Sequence, residues 1–208
     1  MKAHTKESQA LLNPELSLKL LKEGNKRFVE GLKANRNLMV QVTNTSQGQY
    51  PFATILSCID SRVPAELVFD QGIGDIFSIR IAGNFVNEDI LGSMEFACKL
   101  AGTKVIVVLG HTSCGAVKGA CDNAKLGNLT TMLNKIKPAV SKVTQPEDPL
   151  LRNSKNIEFV NAVAEQNIIL TINRIRKESP VLAEMENYGE IKIIGAMYNI
   201  NTGQVNFY

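Results

Sequence analysis

In the segment SCIDSRVP a thiol, a carboxylate and a guanidinium, those of Cys58, Asp60 and Arg62, fall within five positions, and GHTSCG further on adds an imidazole and a second thiol, His111 and Cys114. Two sulfurs and one imidazole nitrogen suit tetrahedral zinc, and three protein ligands leave the fourth position to water, as in catalytic rather than structural sites. Water held there becomes a hydroxide near neutral pH. Two thiolates cancel the ion's charge, so it acidifies that water less than three neutral imidazoles would, and neighbouring groups must help. Asp60 is placed to accept a hydrogen bond from the water. Arg62 is placed to keep Asp60 ionised and turned away from the metal through a bidentate pair. Each feature has a plainer reading: a cysteine after a strand is a small core hydrophobe, and an Asp/Arg pair is a surface ion pair of little worth. The conjunction of thiols after two separate strands, a histidine three residues before the second thiol, and a charged pair beside the first favours the metal site.

These residues need elements to bring them together. Short apolar runs at Phe52 to Ser57, Ile76 to Ala82 and Lys104 to Gly110 read as buried parallel strands. The stretch NEDILGSMEFACKLAG between the second and third has a helical face and a stop at Gly102. Strand, helix, strand predicts a parallel α/β sheet, whose ligands gather beyond the strands' carboxyl ends. Cys58 follows one strand there and His111 another. An amphipathic helix is expected over 15–34 and an extended linker or loop over 35–50. Further helices are expected near 115–126, 128–143 (with a break at Pro138) and 155–178. A strand, a turn at Asn201-Thr202-Gly203 and a return strand should close the chain, and 144–154 should be an exposed connection. Gly72 to Gly74 is too short for a phosphate loop and reads as a turn.

The 208 residues are 44% hydrophobic and 21% charged with a net charge of +3, enough to bury a core without disulfides or a structural metal. The basic residues are scattered, which argues against nucleic acid, and no apolar run is long enough for a membrane span. The amino terminus lacks a secretory pattern, so a cytoplasmic location is expected, where four irregularly spaced cysteines suit metal rather than disulfides. Cys98 and Cys121 read as helical core residues.

CIDSR followed by GHTSCG, with FDQGIGDIFSIRIAGNFV between them, resembles the β-class carbonic anhydrases over roughly 49–122. The resemblance implies a mostly parallel sheet of four strands plus an antiparallel edge strand, flanked by helices. Residues 1–48 would be an N-terminal helical arm and linker, and 49–208 the zinc-binding core of a single domain. It implies one Zn2+ per chain on Cys58, His111 and Cys114, with Asp60 and Arg62 as catalytic dyad. The reaction would be reversible hydration of CO2 to bicarbonate and a proton by zinc-bound hydroxide, in a homodimer or homotetramer. Gln49, Phe77 and Gly115 are the implied substrate-binding residues, against plainer readings as loop amide, core and helix-start glycine. Where some members carry a Trp in a bicarbonate pocket tied to a closed, Asp-ligated state, this chain has Ile55, although Arg80 matches that pocket's arginine. The open form is therefore expected, with Asp60 a fourth ligand only in a closed state. Phe96 stands where plant members carry a cleft Tyr. Only His4 and His111 are present, so no histidine proton shuttle is expected unless the N-terminal arm reaches the cleft. The alternatives are a CS2 or COS hydrolase on the same scaffold, and a closed structural zinc protein.

Overall fold

The computed structural model describes residues 3–208. Five strands, β1 (Ala53–Ser57), β2 (Ile76–Arg80), β3 (Val105–His111), β4 (Lys192–Tyr198) and β5 (Val205–Phe207), form one sheet in the order β2-β1-β3-β4-β5. β1 to β4 are parallel and β5 runs antiparallel to β4, as expected from the resemblance. β1 and β3 are buried along their whole length, which is why they read as unbroken apolar runs, whereas β2 is the outer strand and only partly covered.

The helices are α1 (Lys6–Ala10), α2 (Pro14–Val29), α3 (Leu38–Thr45), α4 (Ala65–Val68), α5 (Glu88–Glu95, widening into a π-helical turn over Phe96–Leu100), α6 (Gly115–Cys121), α7 (Gly127–Asn134), α8 (Lys137–Lys142), α9 (Ile157–Glu178) and α10 (Pro180–Asn187). Alternation along the strands divides the core in two. Ile55, Val107 and Leu109 face Leu21 of α2 and Val68 of α4, while Leu56, Ile106 and Val108 face the layer built by α5 to α10. Helix α9 lies against β3 and β4. Ile168 sits where neither Gly110 nor Gly195 has a side chain: a Cβ at either would come within 2.7 Å of it. Among the described residues no helix is long and apolar enough to cross a membrane.

The strands fall within two residues of their expected ends, but 35–50 is not wholly the extended linker or loop its polar composition suggested. Leu38–Thr45 is helical, capped by Asn37, whose side chain accepts from the Val40 N–H at 3.1 Å. Tertiary contact fixes it: the buried Gln41 accepts from the Ile73 N–H at 3.1 Å, while Leu38, Met39, Val40 and Val42 stay exposed. The stretch 128–143 does break, and Pro138 stands in the first turn of α8, where a missing N–H costs nothing. The connection 144–154 carries one short 3-10 turn over Pro149–Leu151. Helix α10, which the periodicity did not announce, starts at Ser179-Pro180, a cap and an N1 proline.

Two polar clusters, around Asn25 and Asp70, help to fasten the arm. The buried Asn25 donates to the carbonyls of Val68 (3.0 Å) and Gly203 (2.9 Å) and accepts from the Val205 N–H (2.8 Å). Asp70, buried and at φ 45°, receives Arg27 Nε and Arg36 Nη1, both at 2.6 Å, and the Ala34 N–H at 3.1 Å. Burial pushes the Asp70 carboxyl up, but the hydrogen bonds from Arg27, the Ala34 N–H and Arg36 outweigh it and hold the group below its ordinary value. A depressed carboxyl stabilises the fold above its unfolded pKa of about 3.9, and that contribution is lost as pH falls through the folded value. Asp70→Asn, which tolerates the same backbone, should therefore cost about 3 kcal/mol in urea unfolding at neutral pH by leaving two guanidinium groups facing a neutral amide. The gap to wild type should narrow below about pH 4, and a gap constant down to pH 2 would refute the assignment.

Candidate active site

The chain leaves β1 toward β2 on one side and returns past it to β3 on the other, so the crevice between the carboxyl ends of β1 and β3 is the sheet's switch point. Cys58 follows β1, and His111 is the last residue of β3. Cys114, three residues on, immediately precedes α6. Their donor atoms all lie within 4.8 Å of one another, and all three residues are buried.

The donor set fits zinc. The two sulfurs are 3.9 Å apart, close to the separation of about 3.8 Å that two 2.3 Å bonds make at a tetrahedral angle. His111 Nδ1 donates to the Thr112 carbonyl at 3.0 Å, which fixes the tautomer and leaves the Nε2 lone pair facing the sulfurs' side of the ring. That Nε2 is buried without a hydrogen-bond partner, a state that costs free energy unless something binds there. Thr112 is itself held, its N–H donating to the Tyr198 carbonyl at 3.0 Å and its hydroxyl oxygen accepting from the Ile200 N–H at 3.1 Å. Hydrogen bonding from the Cys114 thiol, with the N–H groups of Gly83 and Asp60, stabilises a Cys58 thiolate, so the Cys58 pKa lies well below that of a free thiol despite burial. The same hydrogen bond, with burial, pushes Cys114 up. Cys98 and Cys121 differ: burial pushes both up to about 11, so they stay protonated. Cys98 is a core residue as expected, while Cys121 is only half-buried.

Asp60 and Arg62 pair as their spacing suggested. Arg62 donates from Nε to Oδ1 at 2.9 Å and from Nη2 to Oδ2 at 2.8 Å, and its backbone N–H reaches Oδ1 at 3.0 Å. The Arg62 hydrogen bonds hold the Asp60 carboxyl far below the usual carboxylate range. Asp60 Oδ2 stands 3.8 Å from His111 Nε2, beside the donors and outside their cluster. Arg80 does more than its sequence position indicated: it donates to the Cys58 carbonyl at 3.0 Å and to the Asp60 carbonyl at 2.7 Å, pinning the backbone that carries both. The available signal was register, since Arg80 pairs with Ser57, the residue before Cys58. Ile55 is buried in the apolar layer under α2.

A cavity of about 280 Å³ opens beside Cys58 and Asp60, walled by Ala82, Gly115, Ala116, Leu129, Met132 and Leu133 among others. Gly115 thus lines the cavity, and an added Cβ there would meet no neighbouring atom within 4 Å outside its own helix. Gln49 and Phe77 do not line this cavity. Gln49 is exposed before β1, and Phe77 faces a groove of about 680 Å³ between β2 and α5, its ring 6.2 Å from that of Phe96. His4 packs on Phe52 at the amino end of β1, the opposite end from Cys58.

Residues 53–205 match the carbonic anhydrase family model. The chain is 35% identical to carbonic anhydrase 2 of Mycobacterium tuberculosis over 193 residues, which is 92% of this chain and 91% of that protein. It is 34% identical to the carbonic anhydrase of Mycolicibacterium smegmatis over 194 residues, 93% of this chain and 92% of that one. Among solved structures it resembles the β-carbonic anhydrase CcaA (TM-score 0.72, 27% identity, covering 92% of this chain and 87% of that one). CafA of Aspergillus fumigatus, another β-carbonic anhydrase, is similarly close (TM-score 0.71, 26% identity, 93% and 90%). The chain belongs to the β-class carbonic anhydrases. It is accordingly a lyase, a zinc-dependent enzyme that hydrates CO2 to bicarbonate.

At pH 7 the metal-free Cys58 and Cys114 should share a single proton across their 3.9 Å sulfur contact. Zinc uptake should then release about one proton per chain, measured by calorimetry in buffers of different ionisation enthalpy. Release of two would show that both sulfurs are protonated without metal.

Proposed function

We infer that Cys58, His111 and Cys114 are the zinc ligands and that Asp60 and Arg62 are the residues that work beside the ion. The observation that carries this reading is the buried, partnerless Nε2 of His111 facing two sulfurs at the sheet's switch point. When bound, zinc supplies a Lewis acid that brings the ionisation of water near neutrality. Asp60, ionised at every working pH, accepts a hydrogen bond from the reacting water and so directs its lone pair toward CO2. Arg62 occupies both carboxylate oxygens, which keeps Asp60 from becoming a ligand and supports the open form. Ala82, Ala116 and Leu133 give an apolar substrate a dry wall, and Gly115 leaves room for it beside the ligands. His4 is remote within the chain, so the proton passes to buffer.

Gln49 and Phe77 lie away from their own chain's cavity, and Phe77 sits on the outer strand near the exposed Phe96 and Leu100. These facts support a homodimer, or a tetramer of two, joined along the β2 side, in which Gln49 and Phe77 serve the second copy's cavity.

Stopped-flow CO2 hydration tests the dyad. Asp60→Asn should lower kcat/KM by about 100-fold or more while zinc content stays at one per chain; loss of zinc instead would make Asp60 a ligand. Wild-type activity should climb from neutral to mildly alkaline pH and rise with buffer concentration, with no acid-side inflection from Asp60, whose carboxyl stays ionised. Phe96→Arg should yield monomers in light scattering that retain zinc and lose activity. Active monomers would remove Gln49 and Phe77 from the site.

A further inference from the structure

Two asparagines of α9 reach the loop that carries Cys114 and the turn after β2 whose Gly83 faces the Cys58 sulfur. Asn161 Oδ1 accepts from the Ser113 N–H at 2.9 Å. Ser113 lies between His111 and Cys114 at φ 55°, a left-handed conformation that a non-glycine residue holds only when its surroundings compensate. Six residues along, Asn167 is 3% exposed and donates from Nδ2 to the Gly83 carbonyl at 2.8 Å. The N–H of that same glycine points at Cys58 Sγ, 3.4 Å away. Gly83 and Asn84 both have positive φ, 81° and 39°, so this turn has no sheet or helix ladder to hold it, and Thr171 supports it with a longer contact of 3.4 Å to the Asn84 carbonyl. Of the nine buried residues of α9 only Asn167 and Thr171 are polar, and both are spent on this turn. An unpaired amide in that layer would cost free energy, so its presence there marks a bond that the turn requires.

We propose that Asn161 and Asn167 are positioning residues of the metal centre. Asn161 sets the backbone turn that aims His111 and Cys114 at one point, and Asn167 sets the angle of the Gly83 N–H that hydrogen-bonds the Cys58 sulfur. The inference rests on the reading of Cys58, His111 and Cys114 as the metal ligands. Neither asparagine touches a donor atom; each acts through one backbone group. The two roles need opposite chemistry. Position 161 must accept a hydrogen bond, and position 167 must donate one. Aspartate is isosteric with asparagine and accepts without donating, so the same substitution separates the two sites.

The test uses Co2+ as a spectroscopic probe in the wild type, Asn161→Asp, Asn161→Leu and Asn167→Asp. It reads the sulfur-to-cobalt charge-transfer band and the rate of metal loss to a chelator, with circular dichroism of each metal-free protein as the folding control. Asn161→Asp should keep the wild-type spectrum and loss rate. Asn161→Leu and Asn167→Asp should lose metal at least about 10-fold faster, the usual scale for outer partners of metal ligands. In Asn167→Asp the band should also move to lower energy, because a sulfur deprived of its N–H partner holds its electrons less tightly. If the metal-free Asn167→Asp does not fold, the contrast between Asp and Leu at 161 decides. The proposal is overturned if the folded variants match the wild type in band and loss rate, or if Asn161→Asp behaves as Asn161→Leu. A wild type that shows no sulfur-to-cobalt band overturns the ligand reading itself, an outcome distinct from indifferent variants on a wild type that shows it.

Discussion

Two buried sulfurs 3.9 Å apart cannot both carry a negative charge unless a cation lies between them. That constraint organises the molecule. Without a cation one sulfur holds the proton and the other the charge, and an imidazole nitrogen is left with nothing to bind. Bringing three such groups together is unfavourable in itself, and the sheet makes it possible by ending two adjacent, wholly buried strands within two residues of one another in register. β1 and β3 have no freedom to slide, because a one-residue slip would turn each strand's apolar side chains to the wrong layer. The ligands thus inherit their placement largely from the packing of the strands, whose core continues onto Cys58 and Cys114.

The protein uses carboxylate and guanidinium pairs in two ways. Asp70 is buried between Arg27 and Arg36, where the pairing fastens the arm to the body. Asp60 and Arg62 form an equally well-shaped pair, but with the Arg62 side chain 54% exposed it contributes little to stability. On the proposed reading its worth lies in orientation: a carboxylate with both oxygens engaged stays charged and stays out of the coordination sphere. Similar geometry fastens the chain where water is absent and, on that reading, serves chemistry where it is present.

Much of this was legible in the chain. The strands carry their burial in composition, and the Cys58, Asp60 and Arg62 cluster has no use in a core, so both the sheet and the centre of the site could be read directly. Helix α3 could not, because its apolar residues face outward and its place depends on the amide of Gln41 meeting the Ile73 N–H, a contact without periodicity. The contacts of Arg80, Asn161 and Asn167 were hidden for a related reason. Each meets a backbone group distant in the sequence, and only the folded chain brings the two together. Phe77 and Gln49 were found by resemblance to a family, and a single chain does not bring them to the cavity that they were expected to line.

The trough formed by Gly110 and Gly195 sets the standoff between α9 and the sheet, since Ile168 rests directly on bare backbone there. Asn161 and Asn167 ride on that same helix, so their reach toward the ligand loops is gauged by the thickness of one missing methyl. A side chain at either glycine would act as a shim beneath the helix. Its effect would surface far from the alteration, as a looser grip on the ion, and a survey confined to residues around the cavity would never trace it to its source.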